Sequence, residues 1–267
     1  MLNKISPKKS LGQNFLQDKN ISNKIVESLK LSADDIVFEI GPGEGALTQF
    51  LSKKTKNLIA IEIDQRCVAL LKENFGNKIE IINKNFLEYQ FPKILKSKIR
   101  LVGNIPYNIT SQILFKIFND LEMIKDFTAM MQKEVAMRLV AKPKTKDYGI
   151  LSVMAQYYSN PKILFDVSKN CFYPKPKVTS TVVNLNFDGE KKNSAIDENL
   201  FRSLVRGTFN TRRKTIRNGL KFLNAPEESF LLAEEFLSKR PEELSTKDFV
   251  DLSNLFSRNG VKLNARI

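Results

Sequence analysis

The chain is predicted to be an α/β protein, a parallel sheet with helices on both faces, followed by a small all-helical domain. Three observations predict this. Short, continuously apolar segments alternate with amphipathic ones from residue 35 to about residue 140. A glycine-rich turn, Gly41-Pro42-Gly43-Glu44-Gly45, joins the first apolar segment to the next helix. After a polar stretch at 188–197, only helical patterns remain. Continuously apolar strands between helices belong to parallel sheets buried on both faces.

The elements follow in order. Residues 18–29 place Ile21, Ile25, Val26 and Leu29 at helical spacing. Residues 35–40 form a short strand that ends in the glycine turn. A helix over 46–54 and a strand over 57–63 come next. The helix over 64–75 starts at Asp64, a natural N-cap. Strands are predicted over 79–83 and 99–103. Residues 110–118 gather Ile113, Leu114 and Ile117 on one helical face. A fifth strand covers 127–131 and a helix 133–140. Residues 141–147 form a basic loop with a proline. A helix over 150–157 precedes two alternating segments, 163–167 and 178–187. Helices are then expected over 198–206, 211–223, 228–236 and 246–257. This places a sheet domain at residues 1–187 and a helical domain at 188–267.

Composition limits the chemistry. The 267 residues include no histidine, no tryptophan and two cysteines. Without histidine there is no Ser-His-Asp or Cys-His arrangement, no H-E-x-x-H site and no Cys₂His₂ finger. Catalysis must therefore run on carboxylates, amides, aromatics, lysines or backbone groups, or on a cofactor that brings the reactive bond. Cys67 and Cys171 lie far apart, in no metal-like spacing, which fits a reducing cytoplasm. The basic start lacks the apolar core of a signal peptide. No run approaches the roughly 18 apolar residues of a membrane span.

The net charge of +14 points to a polyanionic partner. Lys, Asn, Ile and Phe are all abundant, as an AT-rich coding sequence gives, so composition accounts for part of it. The distribution says more. Between residues 201 and 222 stand Arg202, Arg206, Arg212, Arg213, Lys214, Arg217 and Lys221, with no acid among them. The stretch that follows, 227–243, is rich in glutamate.

The glycine turn lets a ligand approach the backbone closely, and the helix N-terminus offers free N–H groups. Gly41-x-Gly43-x-x-Ala46 also fits a loose dinucleotide fingerprint. The second strand ends in Glu62, about 20 residues on, where an acid accepts hydrogen bonds from ribose hydroxyls. Together they describe a Rossmann-like edge for an adenosine-containing ligand. A sharp turn with a nearby surface acid is the plainer alternative. Glu39 and Glu44 beside the glycines would repel a pyrophosphate but welcome a cationic cofactor. That favours S-adenosylmethionine, whose activated methyl also removes the need for an imidazole. After the third strand, Asn85 can accept a hydrogen bond from an adenine amino group, with Phe86 against the ring. Asn85 equally suits a cap before a turn.

The fourth strand runs into Asn104-Ile105-Pro106-Tyr107. An exocyclic adenine amine is a poor nucleophile, because its lone pair is delocalised into the ring. Hydrogen bonds from its protons to the Asn104 side-chain oxygen and the Ile105 carbonyl shift the nitrogen toward sp³ character. Pro106 fixes φ and removes a competing donor. Tyr107 offers a face on which a flipped or single-stranded base can stack. A proline turn with a buried tyrosine is the bland alternative. Further on, Phe172-Tyr173-Pro174-Lys175-Pro176 forms a stiff, extended lead. It can present Phe172 to the other face of the base, or anchor it in the core.

These segments carry a resemblance. Lys9-Ser10-Leu11-Gly12-Gln13-Asn14-Phe15-Leu16, the EIGPGEG turn, the NIPYN run and the F-x-P-x-P-x-V-x-S segment from Phe172 together resemble the bacterial small-subunit ribosomal RNA adenine dimethyltransferases. The tail agrees through LVRGTFNTRRKTIRN from Leu204 and RPEELSTKDFVDLSN from Arg240. The resemblance spans essentially the whole chain. NIPY alone would also suit DNA adenine methylases; QNFL and the tail narrow it.

The resemblance implies that two adjacent adenines near the 3′ end of small-subunit RNA, in its terminal hairpin, are each dimethylated at N6. The donor is S-adenosylmethionine and the substrate an assembling small subunit, a pre-30S particle. Cofactor contacts map to Asn14, Leu16, Gly41 and Glu62, with Asn104 next to the methyl. The family usually has an acid where Asn85 stands, which implies weaker cofactor affinity and unchanged chemistry. Arg206, Arg212, Arg213, Lys214 and Arg217, on a basic helix from Thr211 to Lys221 and just before it, would neutralise RNA phosphates with Lys4, Lys8 and Lys9. Specificity would come from RNA shape. A cytoplasmic monomer with no metal and no membrane partner is expected. Two other readings remain. One is a resistance methylase acting on large-subunit RNA, which QNFL and the tail count against. The other is a non-catalytic RNA-binding factor, which the intact glycines, Glu62 and NIPY count against.

Overall fold

The computed structural model describes residues 5–92, 97–187 and 194–263. Lys4 and the polar residues 188–193 lie outside them. In chain order the elements are β1 (Phe15–Leu16), α1 (Lys19–Ser28), β2 (Ile36–Ile40), α2 (Thr48–Leu51), β3 (Asn57–Glu62), α3 (Gln65–Phe75), β4 (Glu80–Asn83) and β5 (Ile99–Asn104). There follow α4 (Thr110–Asn119), β6 (Ile124–Gln132), α5 (Lys133–Leu139), α6 (Ile150–Tyr158), β7 (Asn160–Val167), β8 (Phe172–Tyr173) and β9 (Ser180–Asn186). The tail supplies α7 (Glu198–Asn210), α8 (Ile216–Phe222), α9 (Glu228–Leu232) and α10 (Thr246–Arg258).

The main sheet has the order β4-β3-β2-β5-β6-β9-β7. Strands β2 to β6 pair in parallel, and β9 pairs antiparallel with β6 and β7. The chain winds outward from β2 through β3 to β4, then returns to β5 on the other side of β2. That reversal is a topological switch point, where the strand ends open a crevice. Apolar side chains cover one face, where Val37, Leu58, Ala60, Val102, Met130 and Val182 pack with Leu47 and with Ile25, Val26 and Leu51 from the helices; Phe38, Ile40, Leu101 and Phe127, which alternate with them, are buried on the other. The predicted α1 and α3 caps are present. Asp18 accepts from Asn20 and Ile21, and Asp64 from Arg66. Only four of the residues expected as helix at 46–54 are α-helical, with turns on either side.

The chain divides into two compact units, residues 5–136 with 160–187 and residues 137–159 with 194–263. The sequence boundary at 187 kept 137–159 with the sheet; the packing groups it with the helices instead. Val153, Met154 and Ala155 of α6 are fully buried. Tyr157 of α6 stacks on Phe201 of α7 at 4.2 Å between ring centroids. In the helical unit, α7 buries Leu200, Phe201, Leu204, Val205 and Thr208, a stripe at helical spacing. Asp197 caps its start.

One predicted helix starts later than expected. The sequence reading ran a basic helix from Thr211 to Lys221. In the structure α7 ends at Asn210, residues 211–215 turn, and α8 starts at Ile216. The cause is a close crossing. A Cβ on Gly207 would lie 2.2 Å from Leu223 Cδ2, and one on Gly219 2.8 Å from Thr208 Cγ2. Such contact requires α8 to fold back on α7, so the chain must reverse between them. The Thr211 hydroxyl donates to the Thr208 carbonyl and helps end α7.

Candidate active site

A cavity opens at the switch point, lined by residues from the ends of β2, β3 and β5 and by the segment before β1. The turn after β2 is left-handed at Gly41, Gly43 and Gly45, with φ of +64°, +56° and +87°. Gly43 is also sterically fixed, since a Cβ there would meet the Phe15 ring at 2.9 Å. Its amide donates to Glu62 Oε2 at 3.0 Å, and the Asp64 amide donates to Glu62 Oε1 at 2.8 Å. Both carboxylate oxygens are thereby aimed while keeping capacity for further donors. Glu62 is only 5% exposed, and burial raises its pKa against those two amide bonds.

Glu39 lies in the cavity wall and is 1% exposed. Burial pushes its pKa up to about 8; the Thr48 hydroxyl bond opposes this and the nearby Glu62 charge adds to it. Thr48 Oγ1 donates to Glu39 Oε2 at 2.6 Å. Glu44 also lines the cavity, but its oxygens hold the N-terminal segment: Ile5 N donates at 2.9 Å and Gln17 Nε2 at 3.2 Å. Lys84 is the one cation among the described lining residues. A cavity with three carboxylates and one lysine suits a cationic ligand and disfavours a pyrophosphate. Glu62 is set to accept from a ribose diol, and Ile63, Phe86 and Leu87 give an apolar surface for an adenine ring. The residues present therefore fit S-adenosylmethionine.

Asn14, Leu16, Gly41, Glu62, Asn85, Asn104, Ile105, Pro106 and Tyr107 all line this one cavity, as the sequence reading grouped them. Asn104 closes β5, and its Nδ2 donates to the Asn14 carbonyl at 2.8 Å. Ile105 is buried, and its amide donates to the Met130 carbonyl at 3.0 Å. The Pro106 carbonyl accepts from Thr110 Oγ1 at 3.0 Å. Tyr107 shares a 2.6 Å bond with Ser180 Oγ, which holds its ring, and burial raises its pKa. Asn85 is the cap that the sequence allowed. Its Oδ1 accepts from Leu87 N at 3.1 Å, capping the turn, and the residue still lines the cavity.

Phe172 is placed otherwise. It pairs with Leu16 across β1 and β8 and is 5% exposed within the apolar core. It is not among the residues that line the cavity. In this structure it packs as a core anchor. The alternation of β8 turns the next residue, Tyr173, outward, 54% exposed.

The chain's likenesses to known proteins agree with this geometry. The family model for ribosomal RNA adenine dimethylase matches residues 5–257. The chain belongs to the ribosomal RNA adenine dimethylase family. It is 40% identical to ribosomal RNA small subunit methyltransferase A of Alkaliphilus oremlandii, over 92% of this chain and 90% of that one. It is 41% identical to the protein of the same name from Flavobacterium johnsoniae, over 98% of this chain and 100% of that one. Among solved structures, a dimethyladenosine transferase from Plasmodium falciparum superposes with a TM-score of 0.82 at 27% identity, covering 92% of this chain and 98% of that one. The 23S rRNA methyltransferase ErmE gives 0.69 at 27% identity, covering 91% and 99%. Members of this family are S-adenosylmethionine-dependent methyltransferases on a Rossmann-like sheet, and this chain carries both the sheet and the cavity.

The basic candidates divide. Arg212 is committed internally: Nε donates to Glu242 Oε2 at 2.8 Å and Nη2 to the Lys146 carbonyl at 2.7 Å. Arg213 and Lys214 stand exposed on the turn between α7 and α8. Arg217 is exposed on α8, with its guanidinium 5.9 Å from the Phe230 ring centre. Arg206 is half-buried on α7. Lys8 and Lys9 are exposed beside the cavity segment.

Sequence reasoning missed two residues here. Asp64 was read only as a helix cap and Gln13 only as part of a motif. Gln13 Nε2 donates to Asp64 Oδ2 at 3.0 Å, across 51 positions of sequence. Among the described residues no group of three or more His, Cys, Asp or Glu is arranged to hold a metal ion. No helix there is long and apolar enough to cross a membrane.

Proposed function

We propose that this chain transfers methyl groups from S-adenosylmethionine to N6 of two adjacent adenines in the 3′-terminal hairpin of small-subunit ribosomal RNA, on an assembling small subunit. The observation that carries the reading is that the ribose-type carboxylate Glu62 and the Asn104–Tyr107 turn share one cavity. A cofactor site and an amine-orienting site must meet for methyl transfer. The relatives named small subunit methyltransferase A cover nearly all of this chain.

The cofactor supplies an electrophilic methyl on a sulfonium; the protein supplies position. Glu62 accepts from the ribose, and the buried Glu39 offers negative charge. Asn104 Oδ1 and the Ile105 carbonyl accept the two amine protons, which localises the nitrogen lone pair toward the methyl. Tyr107, held by Ser180, presents its face to the flipped base. No histidine base is required, because the amine gains its positive charge only on methylation and then loses its proton readily to water. Exposed Arg213, Lys214 and Arg217, together with Lys8 and Lys9, neutralise phosphates without reading sequence.

The deciding experiment supplies labelled S-adenosylmethionine and unmethylated small subunits, then maps methylated adenines by mass spectrometry. Two adjacent dimethyladenines near the 3′ end are expected. Label on large-subunit RNA would point to the activity named for ErmE, and particle binding without label would refute the enzyme.

A further inference from the structure

The segment before β1 is tied to the glycine turn, to the start of α3 and to the end of β5. Ile5 N is held by Glu44 of the glycine turn. Arg66 of α3 donates to the Ser6 carbonyl at 2.9 Å, and Lys8 Nζ lies 3.6 Å from Asp64 Oδ1. Gln13 Nε2 donates to Asp64 Oδ2, while Gln13 Oε1 accepts from Lys8 N at 2.8 Å. The next residue, Asn14, gives its carbonyl to Asn104 Nδ2. Beyond it, the Phe15 ring seats against Gly43.

This continuity has a chemical consequence. A backbone carbonyl only accepts, so the Asn14 carbonyl fixes which end of the Asn104 amide faces it. Nδ2 turns toward Asn14, and Oδ1 is left for the substrate amine. If the segment lifted, the amide could rotate by half a turn about its last torsion and set N–H against N–H. Asp64 is itself linked to the ribose carboxylate, because its amide donates to Glu62 Oε1. One chain of bonds therefore runs from Glu62 through Asp64 and Gln13 to Asn14 and Asn104.

We infer that Gln13 and Asp64 are positioning residues for methyl transfer: their bond fastens the N-terminal strap over the cofactor cavity and thereby holds the Asn104 amide in its accepting orientation. The inference rests on the proposed role of Asn104. Cofactor capture and base alignment are then one event, so the amine is addressed correctly only when the strap is down.

The test is Gln13→Glu, which keeps the size and the acceptor toward Lys8 but replaces the donor by a charge that Asp64 repels. Gln13→Lys restores a donor toward Asp64. Three quantities are measured: hydrogen exchange of amides 6–14 without cofactor, cofactor affinity by calorimetry, and turnover at saturating cofactor. Gln13→Glu is expected to speed exchange, weaken cofactor binding and lower turnover at saturation, each by roughly tenfold, the size of one lost charge-assisted bond. Gln13→Lys is expected to recover a large part of all three. Unchanged exchange would overturn the fastening. Faster exchange with wild-type turnover at saturation would overturn the positioning role, leaving a strap that only retains cofactor. If Gln13→Glu does not fold, Gln13→Ala is judged by the same three readouts. The Asn104 reading fails separately, if Asn104→Ala retains turnover.

Discussion

At the scale of single residues, two side chains carry opposite predictions. In the proposed mechanism Asn104 acts on the substrate amine. Asn104→Ala is expected to bind cofactor within a few-fold of wild type by calorimetry, yet to lose turnover by roughly a hundredfold or more, as for other groups that act on a reacting centre. Glu39 acts through its charge. Its carboxyl, held near 8 by burial, faces Thr48 and Glu62, with Glu44 in the same cavity. In the folded, cofactor-free protein it keeps its proton between pH 4.5 and about 8, whereas the unfolded chain releases it. The folded state then binds more protons, so this group's contribution to stability falls as pH rises through that window. Glu39→Gln is isosteric, keeps an acceptor for Thr48 and removes the ionisation. Scanning calorimetry from pH 5 to about 8.5 should show the gap between the variant and wild type widening in favour of the variant. Parallel curves would rule out a proton held at Glu39. A cationic ligand in the cavity displaces that proton, so wild-type cofactor affinity should rise with pH by at most about tenfold per unit.

At the scale of elements, the α7–α8 crossing makes a sharp claim about packing. A methyl on Gly207 has no room beside Leu223, which is 1% exposed. Overpacking of this kind costs about 1–3 kcal/mol, and alanine's better helix propensity returns up to about 1. Leu223→Ala alone should cost about 2–5 kcal/mol. The double variant should cost less than the sum, because the lost side chain makes the space that the new methyl needs. Urea unfolding of the three proteins decides it, and simple additivity would remove the crossing as what sets the break between α7 and α8. The same crossing explains what was hidden in the sequence. The apolar spacing puts the break between the two helices at 207–210, and only the contact between residues 207 and 223 shows that it falls at 211–215. Phe172 was hidden in the same way. Its direction is set by pairing with Leu16, which no local pattern shows. The apolar helix α6 could cover a sheet or other helices with equal ease, so its unit was not legible either. What was legible was local: β2 and its glycine turn, Glu62 at a strand end, Asp64 as a cap, and NIPY after β5. Their meeting in one cavity follows from parallel strands that all release their chemistry at one edge.

At the scale of the whole molecule, the charge of +14 is a statement about a partner, not about the fold. If every lysine and arginine contributed equally, removing any two would have the same effect. The structure says otherwise. Arg212 is spent on Glu242 and the Lys146 carbonyl, whereas Arg213 and Lys214 stand exposed at the reversal between α7 and α8. Phosphate contacts release counterions, so log affinity falls linearly with log salt, by about 0.7 to 0.9 per contact. The double variant Arg213→Ala, Lys214→Ala is therefore expected to weaken binding to unmethylated small subunits and to flatten the salt slope by up to about 2, one unit or less per residue. Arg212→Ala is expected to behave differently. It opens a half-buried ion pair, so its cost should appear as a lower melting temperature, with little change in slope. Filter binding over a range of potassium chloride, paired with thermal melts, separates the two. A slope that falls equally in both variants would mean that Arg212 faces RNA after all and that its pair with Glu242 opens on the particle.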